Sequence, residues 1–378
     1  MILPVNESAF FRPAEPKYPT QTPLPLTAAA PDAKAPRSHQ VQRFFMSSSR
    51  IDVLTLGNAI VDVLAHTDEA FLVKKKVHKG AMQLIDEARA EELFGDMGPA
   101  IVVSGGSAAN TAAGVASLGV KAGFIGKVKN DETGRHFAHD LKAIDVHYDV
   151  AFAEDGPATA RSFILVTPDG ERTMNTYLGA CQNLTPDDIK PETVQASSYV
   201  YLEGYLWDPP AAKEAFRKAV KLAHAAGNKV ALTLSDAFCV DRYRDEFLGL
   251  MRDGSLDILF ANIHELQSLY GTSDAGSALA ALREEKVLGV VTRSAEGAMV
   301  VSRGATQAVP AFPVEKVIDT TGAGDLFAAG FLAGLAKNLD LVDCARLGGL
   351  AAAEIISHLG ARPQVNLREL AQQEGLLG

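Results

Sequence analysis

The sequence predicts an α/β fold, with a mostly parallel sheet between two layers of helices (a three-layer α/β/α sandwich) and a small second sheet attached. Three observations carry this. From Ile51 onward, short apolar runs alternate with helical patterns, the rhythm of parallel strands joined by crossover helices. Residues 58–82 and 150–177 break that rhythm with strand-like alternation and no helix between strands. The second of these carries a Pro168-Asp169-Gly170 turn, which favours a hairpin. Finally, a polar Gly-rich turn at 319–325 interrupts an apolar run and opens a long uninterrupted helical pattern, LFAAGFLAGLAK.

In chain order, the strands of the alternation are IDVLTLG from Ile51, AIVVSGG at 100–106, AGFIG at 122–126, YVYLEGY at 199–205, KVALTLS at 229–235, ILFAN at 258–262 and VLGVVTRS at 287–294. Helical patterns cover 107–118, 211–226, about 242–251 and 275–285. The two irregular blocks form the small sheet, with strands from about 58–82 and 150–177. Residues 48–378 make one domain. Residues 1–47 hold eight prolines and no helical or strand period, a composition expected to be disordered. They lack the basic start and apolar core of a secretory signal. Met46 opens a string, MSSSRIDVLTLGN, that reads as a natural protein start.

Composition narrows the class. Of 378 residues, 47% are apolar and 22% charged, and the net charge is −10. This is a soluble globular balance that argues against nonspecific nucleic-acid binding. No apolar run is long enough to span a bilayer. Cys181, Cys239 and Cys344 are odd in number and far apart, so a reduced, cytoplasmic setting is the simplest expectation. His136 and His139 stand one helical turn apart with no third ligand in view, the pattern of a solvated face.

The chemistry gathers at four strings. In Asp319-Thr320-Thr321-Gly322-Ala323-Gly324-Asp325, Gly322, Ala323 and Gly324 sit at a helix N-terminus. There the first amides lack intrahelical acceptors, and small side chains let an anion approach. Asp325, just inside the helix, can accept a proton from an attacking hydroxyl. Asp62 follows the first strand, at the carboxyl-end mouth where open α/β sheets bind ligands, and can accept from two neighbouring hydroxyls. In Ser104-Gly105-Gly106-Ser107-Ala108-Ala109-Asn110, the glycines permit a tight turn and Asn110 offers donor and acceptor from the next helix. The string is equally a helix start with Ser107 as N-cap. Asn262 and Glu265 share one helical face, suited to a hydrated Mg²⁺ and its phosphates, and also form a capping-box pattern. No Walker A string is present.

Together, GNAIVD, GGSAAN followed by AAGVASLG, IGKVKNDETG and DTTGAGD resemble the ribokinase-like (PfkB-type) carbohydrate kinases, in family order and approximate spacing from about 51 to 363. The resemblance implies a ribokinase-like sandwich whose small sheet is a lid over the substrate. It implies Asp325 as catalytic base, Gly322, Ala323 and Gly324 as anion hole, and Asp62, Gly106 and Asn110 as sugar-holding residues. RSFILVTPDGERTMNTYLGACQNL and YLEGYLWDPP look like the bacterial adenosine-kinase branch, which implies Arg172 as a lid arginine on the transferring phosphoryl group. Thr292 and Gly297 fall where relatives carry T-x-G-x-x-G against the nucleotide, with Ser294 in place of the first glycine. The segment 356–363 resembles the one that joins Asp319 and Thr321 around a monovalent cation, K⁺.

The expected activity is transfer of the γ-phosphoryl of ATP, with Mg²⁺, to the 5′-hydroxyl of a ribonucleoside. Adenosine comes first, a ribose or fructose kinase second, and inosine or guanosine third. A catalytically silent nucleoside-binding regulator is the reading from another class. Phe163 and Tyr177 are candidates to sandwich a purine. The expected partners are ATP and a nucleoside or sugar, with no nucleic acid or membrane, in a monomer or homodimer.

Overall fold

The structure, a computed structural model, describes residues 50–378; the expectations for residues 1–47 and for Met46 lie outside the described residues. Thirteen strands run in the order β1 (Ile51–Leu56), β2 (Ile60–His66), β3 (Met82–Leu84), β4 (Ala100–Gly105), β5 (Ala122–Ile125), β6 (Ala160–Val166), β7 (Arg172–Tyr177), β8 (Ser197–Glu203), β9 (Lys229–Thr233), β10 (Ile258–Asn262), β11 (Leu288–Thr292), β12 (Ala298–Ser302) and β13 (Ala305–Val309). The large sheet has the order β13-β12-β11-β10-β9-β8-β1-β5, parallel except for the β11-β12-β13 edge. The strand order reverses at β1, between β8 and β5, the point where open α/β sheets leave a crevice.

The core lies on both faces of this sheet. Thr55 of β1 donates to Ala108 O at 2.9 Å, tying one face to the helix Ser107–Ser117. Tyr201 and Phe260 stack edge to face in the same layer, and Phe260 meets Phe331 of the helix Ala323–Ala336. Alternate residues of a strand point oppositely, so the fully buried Val200 and Leu202 turn to the face where the helix Pro210–Ala225 packs. That helix starts with proline at its first positions, where the missing N–H costs nothing.

The small sheet has the order β3-β7-β6-β2-β4. Its Val63, Phe163 and Tyr177 are buried together with Ala90 of the helix Glu87–Asp96, and Leu165 packs with Leu72 of the helix Glu69–Lys74. One face is thus covered by helices. By the same alternation, Asp62, Leu64, Ser162, Arg172 and Met174 occupy the other.

Three expectations change. AIVVSGG belongs to the small sheet: β4 pairs antiparallel with β2, Asp62 opposite Val103. Its apolar run reads as a buried parallel strand, but Ile101 and Val102 are exposed at a sheet edge. A helix, Glu69–Lys74, does lie between strands of the first irregular block, started by Asp68 accepting from the Phe71 amide. The hairpin β12-β13 was not anticipated, because its second strand, ATQAV, is mostly exposed and carries little apolar signal.

Candidate active site

The turn before the helix Ala323–Ala336 is built by Gly322, the N-cap, with φ 80°, a left-handed conformation that costs a non-glycine residue. A Cβ there would come within 3.0 Å of Ala361 Cβ, so the loop after the helix Leu341–Ile355 closes over the turn. Gly324 faces open space, with no atom within 4 Å of where its Cβ would be. The N-cap supplies no side-chain acceptor, which leaves the first-turn amides to other partners. Of the amides of Gly322, Ala323 and Gly324, that of Ala323 is already engaged: Ala323 N donates to Thr320 O at 3.2 Å.

Asp325 is held from the opposite half of the molecule. Ser107 Oγ donates to its Oδ1 at 2.6 Å, Asn110 Nδ2 donates to its Oδ2 at 3.0 Å, and Thr111 Oγ1 donates to its backbone oxygen at 3.2 Å. The helices approach closely because Gly114 lies against Leu326 and Ala329, where a Cβ would meet carbon at 2.6 and 2.7 Å. The Ser107–Ser117 helix is capped by Gly106, which has φ 90°. Ser107 is therefore free to serve Asp325 rather than cap its own helix.

Asp62 sits beside this pair. Its carboxylate packs on Gly105, where a Cβ would fall 2.4 Å from Oδ2. Burial pushes the Asp62 carboxyl up to about 7; Arg172 and Arg362 pull it down, and Asp325 pushes it further up. Asp325 is likewise raised by burial, against the hydrogen bonds from Ser107 and Asn110 and the charge of Arg362. Beneath them Glu203 accepts from Asn58 Nδ2 at 2.7 Å and from Ala108 N at 2.9 Å. Its carboxyl is raised to about 7 by burial, which outweighs those bonds. A glutamate inside the apolar run YVYLEGY was the signal for this residue, and its role escaped the sequence.

Arg172 of the small sheet pairs with Asp319, both side chains nearly buried. Asp319 also accepts from Thr321 N at 3.0 Å, Thr321 Oγ1 at 2.8 Å and Gly360 N at 3.0 Å. The two residues expected to hold K⁺ are thus brought together, with the carboxylate already facing a guanidinium.

At the carboxyl end of β10, Asn262 and Glu265 form a reciprocal cap: Asn262 N donates to Glu265 Oε2 and Glu265 N to Asn262 Oδ1, both at 2.9 Å. Burial raises the Glu265 carboxyl to about 7. Thr292 is the register partner of Asn262 on the neighbouring strand. Ser294 has a left-handed backbone, φ 52°, the region that favours glycine, and Gly297 follows with φ 82°. Phe163 and Tyr177, the expected purine sandwich, are instead buried on the helix-covered face of the small sheet, on the side opposite Asp62.

The model for the pfkB family carbohydrate kinases matches residues 101–367, more than half of the chain. The chain belongs to the pfkB family. This family member resembles the adenosine kinase of Sinorhizobium meliloti, 52% identical over 86% of this chain and 100% of that one, with a TM-score of 0.81. A probable sugar kinase from Rhizobium etli CFN 42 is 50% identical over 87% of this chain and 99% of that one, with a TM-score of 0.82. The 5-dehydro-2-deoxygluconokinase of Shouchella clausii is 28% identical over 86% of this chain and 96% of its own length. The fold is thus ribokinase-like, and the pfkB member is an ATP-dependent phosphotransferase acting on a hydroxyl group with a divalent metal. The silent-regulator alternative gives way to this. Among the described residues no helix is long and apolar enough to cross a membrane.

Proposed function

We propose that this pfkB-family kinase transfers the γ-phosphoryl of ATP to the 5′-hydroxyl of a ribonucleoside, adenosine first. The observation that carries the reading is the shared contact of Ser107 and Asn110 with Asp325, beside Asp62. A proton acceptor and a polyol-holding set meet at one place, next to a helix N-terminus open to an anion.

In this reading Asp62 accepts hydrogen bonds from two sugar hydroxyls, Gly106 lets the backbone approach the sugar, and Asn110 orients it. Asp325 takes the proton from the attacking oxygen; in a loose phosphoryl transfer that removal comes late, so a carboxylate suffices. The cradle of Gly322, Ala323 and Gly324, with Arg172, meets the charge on the equatorial oxygens. Asn262, Thr292 and Gly297 line the nucleotide's side. Among the described residues no three His, Cys, Asp or Glu side chains gather as a metal cage. This suits Mg²⁺, which keeps several waters and binds through one or two carboxylates plus phosphates. Glu265 would hold it through water, and the ion would supply charge neutralisation between the phosphates. Asp319 and Thr321 take K⁺ only in competition with Arg172.

For the base, the Asp62 face of the small sheet offers the aliphatic side chains of Leu64 and Met174. A sugar kinase is the second reading, favoured by the sugar-kinase relatives. ADP release with a panel of nucleosides and sugars tests both. Turnover on adenosine at least tenfold above ribose and fructose in kcat/KM supports the first; the reverse order sinks it.

A further inference from the structure

Arg362 lies in the loop that closes over Gly322, within the segment that resembles a cation-binding one. In the structure its Nε donates to Asn110 Oδ1 at 3.0 Å, while Asn110 Nδ2 donates to Asp325. The arginine therefore fixes which way the Asn110 amide points: carbonyl toward the guanidinium, amino group toward the carboxylate. Its Nη2 is buried and has no hydrogen-bond partner. Asp62, Asp140 and Asp325 all act on its charge from nearby, and burial nonetheless lowers its pKa to about 10. A buried cationic donor left unbonded costs more than a neutral one in the same position. A guanidinium fork presents several donors in fixed directions. Here one prong is used by Asn110 and another is held ready beside the carboxylates.

We infer that Arg362 is an acceptor-binding residue, donating from Nη2 to a hydroxyl oxygen of the sugar while its Nε orients Asn110. This rests on the kinase reading above. It also completes the chemistry of the pocket: Asp62 can only accept from a diol, and Arg362 supplies the complementary donor. Vicinal hydroxyls, which donate and accept at once, satisfy both. A sugar lacking one of them leaves the guanidinium or the carboxylate unpaired, the situation in which a polar site discriminates strongly.

The experiment compares the wild-type enzyme with Arg362→Ala and Arg362→Lys, using adenosine, 2′-deoxyadenosine, 3′-deoxyadenosine, ribose and fructose as acceptors. Loss of a charged hydrogen bond predicts an acceptor KM raised about 10–100-fold in Arg362→Ala, with the ATP KM within about twofold of wild type. The penalty for whichever deoxy analogue lacks the contacted hydroxyl shrinks toward unity in the same variant. Millimolar guanidinium added to Arg362→Ala recovers part of the rate, and Arg362→Lys, which keeps the charge but loses the fork, falls between the two. An unchanged acceptor KM overturns the inference. So does an equal rise in both KM values with a lowered Tm and no rescue, the mark of a purely structural arginine. Failure of the underlying kinase reading shows separately, as an unsubstituted enzyme inactive on every acceptor.

Discussion

The guanidinium of Arg172, on a strand of the small sheet, lies against the carboxylate of Asp319 at the foot of the anion cradle. Substitution separates what it does for the fold from what it does for chemistry. Arg172→Met is expected to lower kcat by about 10²–10³-fold, the cost of losing one preorganised donor to developing charge. The acceptor KM stays within a few-fold. It also frees Asp319, so the variant's rate should respond more steeply to K⁺ than that of wild type. Steady-state kinetics across a K⁺ series checks both; an unchanged kcat removes Arg172 from the transition state.

Asp325→Asn retains a group able to meet Ser107 and Asn110 but not a proton acceptor. Turnover is expected to fall by about 10²–10⁴-fold. The Tm holds or rises, since a buried carboxylate is removed. Circular dichroism melts alongside ADP release decide it, and substantial residual turnover means another base.

The cradle glycines should behave oppositely. Gly322→Ala forces a left-handed backbone on alanine and crowds Ala361, costing about 1–2 kcal/mol of stability. Gly324→Ala meets no atom of the protein, so it should fold as wild type; if the proposed anion site lies at this turn, its methyl obstructs that site and activity falls. Urea denaturation curves paired with kcat distinguish strain from obstruction.

Glu265 invites a similar separation. Glu265→Gln preserves the capping-box pattern and should leave Tm unchanged while raising the Mg²⁺ concentration needed for half-maximal rate. Glu265→Ala additionally loses the half of the box in which its side chain accepts from Asn262 N, while Asn262 still caps the helix, so its Tm should fall slightly. A Gln variant with wild-type Mg²⁺ dependence would confine this residue to the helix start.

Asp62, Glu203 and Glu265 are each raised to about 7 from the ordinary carboxylate range. The native state therefore binds more protons than the unfolded one between about pH 4 and 7, and stability falls as pH rises through that window. Activity moves the other way, because Asp62 must be ionised to accept from hydroxyls, so kcat/KM for the acceptor climbs toward a limb near 7. Asp62→Asn should flatten part of the stability slope in pH-dependent melts and weaken acceptor binding. A stability profile that rises from pH 4 to 7 contradicts the assignment.

Much of this was legible in sequence because it rests on local signals. The alternation from Ile51, the Gly-Ala-Gly-Asp turn and the Asn262/Glu265 cap are each written in a few consecutive residues. What escaped depends on pairings between distant segments. AIVVSGG looks like any buried strand until its pairing with β2 is known. Phe163 looks like a ligand wall until register places it with Val63, opposite Asp62. Arg362 reaches Asn110 across most of the chain, and no local periodicity encodes that. Glu203 did carry a signal, a lone charge in an apolar strand, which burial explains.

One continuity of the backbone couples these parts. Strand β4 of the small sheet runs into Gly106, and the helix carrying Ser107 and Asn110 begins at once. Gly106 is wedged so tightly that a Cβ would fall 2.2 Å from Asn58 O. The sheet and the two donors on Asp325 are therefore the arms of one crank with a single glycine as its pin. Any tilt of the sheet over an arriving ligand turns, within one helical turn of chain, into a shift of the groups that grip the carboxylate.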